Sequence, residues 1–175
     1  SRGLAMLKAM TDELNDPNSS MEITLLVLRF AAELMSRSVI FVVTPKEICG
    51  LGEFGVEIAD ENATVRVRKM RIPKSEDSIL RDVIERQGPV KGPLRENQWN
   101  QYIVEKLGGA WPSQAFAAPI SSSGRVVALL YGDNAPSDEE IGDTESLEIF
   151  LMQAGMAMDR ALLARQLRDS SEKAG

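Results

Sequence analysis

The sequence predicts an α+β fold, an antiparallel sheet with a helical layer, and three observations carry that expectation. Ala115-Phe116-Ala117-Ala118-Pro119-Ile120 and Arg125 to Gly132 read as two strands joined by a tight turn at Ser121-Ser122-Ser123-Gly124. After Asp133-Asn134-Ala135-Pro136-Ser137-Asp138 the apolar residues switch from a strand pattern to a helical one and keep it almost to the end. Runs of helix at both ends of the chain bracket the strands, the order expected of a sheet with segregated helices. Both sides of the strand from Val126 to Tyr131 are apolar, so both faces of the sheet are expected to be covered.

Leu4 to Leu14 has helical spacing, with Leu7, Met10 and Leu14 on one side, and Asn15-Asp16-Pro17-Asn18 breaks it. Ser19-Ser20-Met21-Glu22 matches a capping box, after which Ile23, Leu26, Val27, Phe30, Ala31 and Leu34 form one face of a second helix. Val39-Ile40-Phe41-Val42-Val43 is a continuous apolar run too short for a helix and reads as a central strand. A turn at Thr44-Pro45-Lys46-Glu47 returns the chain through Ile48 to Val56, where Gly50, Gly52 and Gly55 spell Gly-x-Gly-x-x-Gly. No helix follows, so the dinucleotide-binding context is missing. The glycines fit a bulged strand beside a cavity or a close backbone contact.

Val65 to Arg71 alternates apolar and basic residues, as a half-exposed strand would, and its cations face solvent, an anionic ligand or an acidic partner segment. Ile79, Leu80, Val83 and Ile84 mark a short helix capped within Ser75-Glu76-Asp77-Ser78 and stopped by Gly88-Pro89-Val90-Lys91-Gly92-Pro93. Arg95 to Leu107 reads as another helix, closed by Gly108-Gly109, and Trp111-Pro112 leads back to the hairpin.

The last helix carries two apolar stripes. At about 100° per residue, Leu147, Leu151, Ala154, Met158 and Ala161 fall together, while Ile149, Met152, Met156, Leu163 and Leu167 fall together on the opposite side. One domain core uses one stripe. A second copy of the chain covers the other, or the N-terminal helices do. Ile149, Met152, Met156, Leu163 and Leu167 are therefore the candidate dimer-interface residues.

With 175 residues, 43% of them hydrophobic, the chain is long enough for one domain with a sizeable core. A net charge of −6 argues against a nucleic-acid partner. No apolar run approaches the roughly 18 residues of a membrane span, and no signal peptide is visible. A single cysteine, Cys49, excludes an internal disulfide, suits a reducing cytoplasm and is expected to be a buried, inert thiol. Histidine is absent altogether, which removes histidine general bases, Ser-His-Asp triads, most zinc sites and proximal-histidine haem. No catalytic residue, metal ligand or cofactor is assigned. The chain begins at Ser1, as a piece of a longer protein would.

Several blocks resemble the GAF domain family: Ile79 to Val90, which looks like that family's short helix and glycine-proline stop; Ala117-Ala118-Pro119-Ile120; Gly124 to Asn134; and Gln153 to Ala161 in the last helix. The resemblance covers roughly residues 23–167. It implies a central antiparallel sheet of about five or six strands, with the N- and C-terminal helices packed on one face and short helices and loops on the other. It also implies a regulatory module of a bacterial signalling protein, dimeric through its terminal helices. The cyclic-nucleotide members carry an Asn-Lys, Phe and Asp-Glu signature that this sequence lacks, and bilin members need a cysteine and usually a histidine beside the chromophore. Relatives that reduce free methionine sulfoxide use several cysteines, because a sulfenic acid formed on one thiol is resolved by another.

The organisation expected is an N-terminal helix and linker over residues 1–18 acting between domains or copies, a GAF-like domain over 19–168 and a disordered tail over 169–175. The function expected is a non-catalytic, cytoplasmic sensory or regulatory domain, working as a homodimer with other domains of the same full-length chain. An unidentified small molecule is a candidate ligand between the sheet and the segment from Ile72 to Trp111. Trp99, Tyr102, Trp111 and Phe116 are the residues expected to line its pocket, since concave apolar sites favour aromatics. A ligand-free dimerisation and protein-docking module, its pocket filled by its own side chains, is the alternative.

Overall fold

The computed structural model describes residues 2–14 and 20–174, so the helix break expected at Asn15 to Asn18 and the first residue of the capping box lie outside the described residues. Two helices, α1 (Arg2–Leu14) and α2 (Ser20–Ala32), lead into strands β1 (Arg37–Val43) and β2 (Glu47–Phe54). Then come α3 (Ala63–Arg68), β3 (Arg71–Pro73), α4 (Ile79–Arg86), β4 (Val90–Gly92) and α5 (Gln98–Lys106). The hairpin β5 (Ala115–Ser122) and β6 (Arg125–Asp133) precedes the 30-residue helix α6 (Glu145–Ala174).

The six strands form one antiparallel sheet in the order β3-β2-β1-β6-β5-β4. β1 and β6 lie at its centre, which is why their sequences are apolar on both sides. The side-chain period of two divides them between two cores. Ile40, Phe116, Ala118, Ile120 and Leu130 meet α1, α2 and α6 on one face, whereas Val39, Phe41, Ala115, Ala117, Leu129 and Tyr131 meet α3, α4 and α5 on the other. The terminal helices thus share a face, as the family resemblance implies. α1 belongs to that core rather than to a separate linker, because Leu7, Met10 and Leu14 are buried in it.

Several expectations need correction. The basic stretch from Val65 is a helix, not a strand. Asn62 caps it by accepting the Val65 N–H at 3.0 Å, and of its two valines only Val67 is buried. Val90 to Gly92, read as a stop, makes a three-residue edge strand against Ala115 to Ala117. The stop itself is Gln87, left-handed at φ 54°, whose N–H donates to the Val83 carbonyl at 2.8 Å. Residues 169–174, expected as a disordered tail, continue α6. Cys49 is partly exposed rather than buried.

The glycine motif of β2 is explained by close approach. Ile40 pairs with Gly52 and Phe41 with Gly50, leaving Leu51 as a bulge. A Cβ on Gly50 would lie 1.9 Å from the Val67 carbonyl oxygen, so only glycine lets α3 close over β2. Gly55, at φ 74°, likewise leaves no room, with the Ser36 carbonyl oxygen 2.0 Å from a Cβ placed there.

Candidate functional site

α6 is the element with the most to hold in place and the most left uncovered. Its inner side buries Leu147, Phe150, Leu151, Ala154 and Ala157, and the Phe150 ring stacks on Phe30 of α2 at 5.1 Å. The Thr11 hydroxyl donates to Gln153 Oε1 at 2.5 Å, tying α1 to the same helix. Gly155 brings the α6 backbone against β5, since a Cβ there would sit 2.0 Å from the Ser121 carbonyl oxygen. One turn later Asp159 grips the hairpin. Its carboxylate accepts from the Ser122 hydroxyl, from the Ser123 N–H at 3.2 Å and from the Ser123 hydroxyl at 3.1 Å. These bonds, that of Ser122 above all, hold the Asp159 carboxyl below its usual 3.8.

The opposite side is bare. Ile149, Met152, Met156, Leu163 and Leu167 are exposed, from 39% for Ile149 to 71% for Met152, and fall within roughly 60° of arc on a 3.6-residue helix. Neither α1 nor α2 covers them, because both pack on the inner side. Met21 and Leu25 of α2 are exposed as well.

The four aromatic residues expected around a ligand are not brought together. Phe116 is fully buried on the helical face, because β5 pairs it with Gly132 and thereby turns Ala115 and Ala117, not Phe116, towards α3 to α5. Trp111 stands on the loop after α5 at 37% exposure. Trp99 and Tyr102 remain neighbours on α5, edge to face with ring centroids 5.2 Å apart and packed against the rim of the second core. The layer they flank is filled. Phe41, Ile48, Val67, Ile72, Leu80, Val83, Ile103, Leu129 and Tyr131 all have no solvent-accessible surface.

The sequence reading missed a buried ionic brace at one end of this layer. Arg37 Nε donates to Asp133 Oδ1 at 2.6 Å and Nη2 to Oδ2 at 3.1 Å, a bidentate pair between β1 and β6 that is almost wholly buried. The same guanidinium donates to the carbonyls of Leu107 and Ala110, both at 2.9 Å, and so fastens the loop that follows α5. The Tyr131 hydroxyl and the Ala135 N–H complete the carboxylate, at 2.5 and 3.1 Å. Burial first, and the Asp133 charge second, push the Tyr131 phenol well above its usual 10, which keeps it a neutral donor. Every oxygen of Asp133 is occupied by these donors, so the cluster braces the fold and holds no free base. Beside it lies an open cleft of about 410 Å³, lined in part by Ser36, Gly55, Glu57, Gly108 and Pro136. Nothing near Arg37 or Asp133 in the sequence signalled the partner of either.

No helix among the described residues is long and apolar enough to cross a membrane. No protein-family model matches the sequence, and no curated relative does. Solved structures match along nearly all of it. The GAF domain of a phosphoenolpyruvate-protein phosphotransferase (ptsP) from Coxiella burnetii is 17% identical over 96% of both chains, with a TM-score of 0.68. A segment of a methyl-accepting chemotaxis protein is 15% identical over 89% of this chain and 98% of its own, also at 0.68. Free methionine-R-sulfoxide reductase from Neisseria meningitidis, solved with its substrate, is 13% identical over 94% of both chains at 0.66. At such identities the likeness is one of architecture, and the fold of this chain is GAF-like.

Proposed function

We propose that the chain is a non-catalytic regulatory domain that works as a homodimer along the outer stripe of α6, as part of a longer cytoplasmic protein of bacterial signal transduction. The observation that carries the reading is the exposure of five large apolar side chains in one line from Ile149 to Leu167 of a well-anchored helix, roughly 27 Å at 1.5 Å per residue. Patches of that kind mark interaction surfaces. Facing two copies about a two-fold axis sets each stripe against itself. These side chains are already partly buried within one chain, so covering what remains exposed gains about half of the roughly 1.5–3 kcal/mol of a full burial at each, and over both copies the sum is of the order of the association cost of about 4–15 kcal/mol.

The signalling neighbours support this reading at the level of fold. The sulfoxide reductase neighbour raises the enzymatic alternative, and the chemistry of the chain speaks against it. One cysteine oxidised to a sulfenic acid has no second thiol in the chain to resolve it. The interior, filled by its own side chains, favours a module whose inner pocket is closed over one that encloses a ligand there.

The pairing is tested by a Met156→Cys variant in which Cys49 is replaced by serine. Mild oxidation is expected to link two chains through position 156 in high yield, while a Glu139→Cys control stays single. Equal yields from both would overturn the reading.

A further inference from the structure

Residues 62–74 hold five cations, Arg66, Arg68, Lys69, Arg71 and Lys74, and no carboxylate, in a chain whose net charge is −6. Because the stretch is helical at its start, Arg66 of α3 and Lys69, which caps its C-terminus, stand three residues apart on one side, and α5 sets Tyr102 and Lys106 opposite them by the same spacing rule. With Glu61 and Met70 these four line a cavity of about 320 Å³. Its size is that of a small-molecule site.

The charges of this wall do not cancel. Glu61 pairs with Arg66 at 3.2 Å, whereas Lys69 and Lys106 enter no ion pair among the described residues. Three cations against one carboxylate leave two positive charges facing one concave space, an arrangement that costs stability through like-charge repulsion and concentrates anions. The wall is also held in place. The Tyr102 hydroxyl accepts the Arg71 N–H at 3.0 Å and gives its own proton to no acceptor among the described residues, and the Lys106 ammonium lies 5.6 Å above the Tyr102 ring centroid.

We infer that this cavity binds a small phosphate-bearing molecule. Lys69 and Lys106 neutralise the phosphate as point charges, Arg66 offers the guanidinium N–H groups that Glu61 leaves unused, and Tyr102 donates its hydroxyl proton. The concave wall suits a compact oxyanion better than an extended acidic peptide. The site lies between α3 and α5, away from the α6 stripe, so it stands or falls independently of the pairing.

The test titrates inorganic pyrophosphate into the purified full chain at fixed ionic strength, in a Trp111→Phe background where Trp99, edge-on to Tyr102, is the sole tryptophan. Saturable quenching is expected, with a shift of the Arg71 amide resonance. Lys69→Gln with Lys106→Gln is expected to weaken binding at least about tenfold, the share carried by charge-assisted contacts, and Arg95→Gln to leave it unchanged. Circular dichroism of the double variant shows whether its fold is intact. If it is not, Tyr102→Phe, which removes only the hydroxyl, must weaken binding. A response that chloride reproduces, one that the charge-removing and hydroxyl-removing variants both keep, or binding of polyglutamate without pyrophosphate overturns the site.

Discussion

The two sides of α6 follow opposite rules. Towards the sheet the helix is fitted from Leu147 to Asp159: rings stack, a glycine admits a strand carbonyl, and Asp159 closes on the hairpin turn. Away from it, apolar side chains of the same size stand largely exposed among the described residues. The layer beneath α3 to α5 resembles the first side, down to the Arg37–Asp133 brace in which each buried charge is paired. An interior so completely filled leaves little for a ligand to change, and the unspent surface of the molecule lies outside it. Changes on the fitted side are therefore expected to act on stability, and changes on the bare side on association.

The largest effect on the fitted side is expected from Arg37→Met. It strands a fully buried carboxylate, and breaking one half of a buried pair costs about 3–5 kcal/mol. Urea denaturation measures it, and adding Asp133→Leu to the same chain is expected to recover much of the loss. A cost below about 1 kcal/mol would place the carboxylate within reach of water. Next comes Gly155→Ala. Helix propensity alone favours alanine by about 1 kcal/mol, but a Cβ 2.0 Å from the Ser121 backbone oxygen forces α6 off the strand, and a net loss of roughly 1–3 kcal/mol is expected. A stabilised variant would show that α6 does not rest on β5 there.

The smallest effect is that of Asp159→Asn, and it depends on pH. A carboxyl whose value in the folded chain is lowered binds its proton less readily there than in the unfolded chain. Its contribution is therefore present above the unfolded value and lost as pH falls through the folded one. Thermal melts are expected to separate the variant from the parent near neutrality and to bring them together well below 3.8. A gap that persists in acid would assign the effect to packing rather than to the carboxylate.

Much of this contrast was legible beforehand. The two stripes of α6 follow from helical spacing alone, and the hairpin from two strand-like runs joined by a tight turn, whose Ser123 and Gly124 the structure holds at positive φ. The central place of β1 follows from Val39 to Val43 being apolar without interruption. What escaped were features that depend on partners distant in the chain. Val65 and Val67 alternate like a strand, but a six-residue helix needs to bury only one of them, and it was the capping Asn62 that carried the signal. Phe116 could face either layer until its pairing with Gly132 fixed the register. Arg37 and Asp133 stand 96 positions apart, and neither residue announces a buried partner in its local sequence. The cation cavity shares this origin, since the basic residues were visible but only the helical form of α3 sets two of them beside Lys106.

Molar mass by sedimentation equilibrium tests most directly whether the bare side of α6 is where two copies meet. The chain has a mass of 19.2 kDa. Twice that value is expected for the parent, falling to 19.2 kDa for Met156→Glu with the fold unchanged, because Met156 is exposed within one chain and lies near the middle of the proposed stripe. A parent that already sediments at 19.2 kDa, or a Met156→Glu variant that keeps the doubled mass, would contradict it.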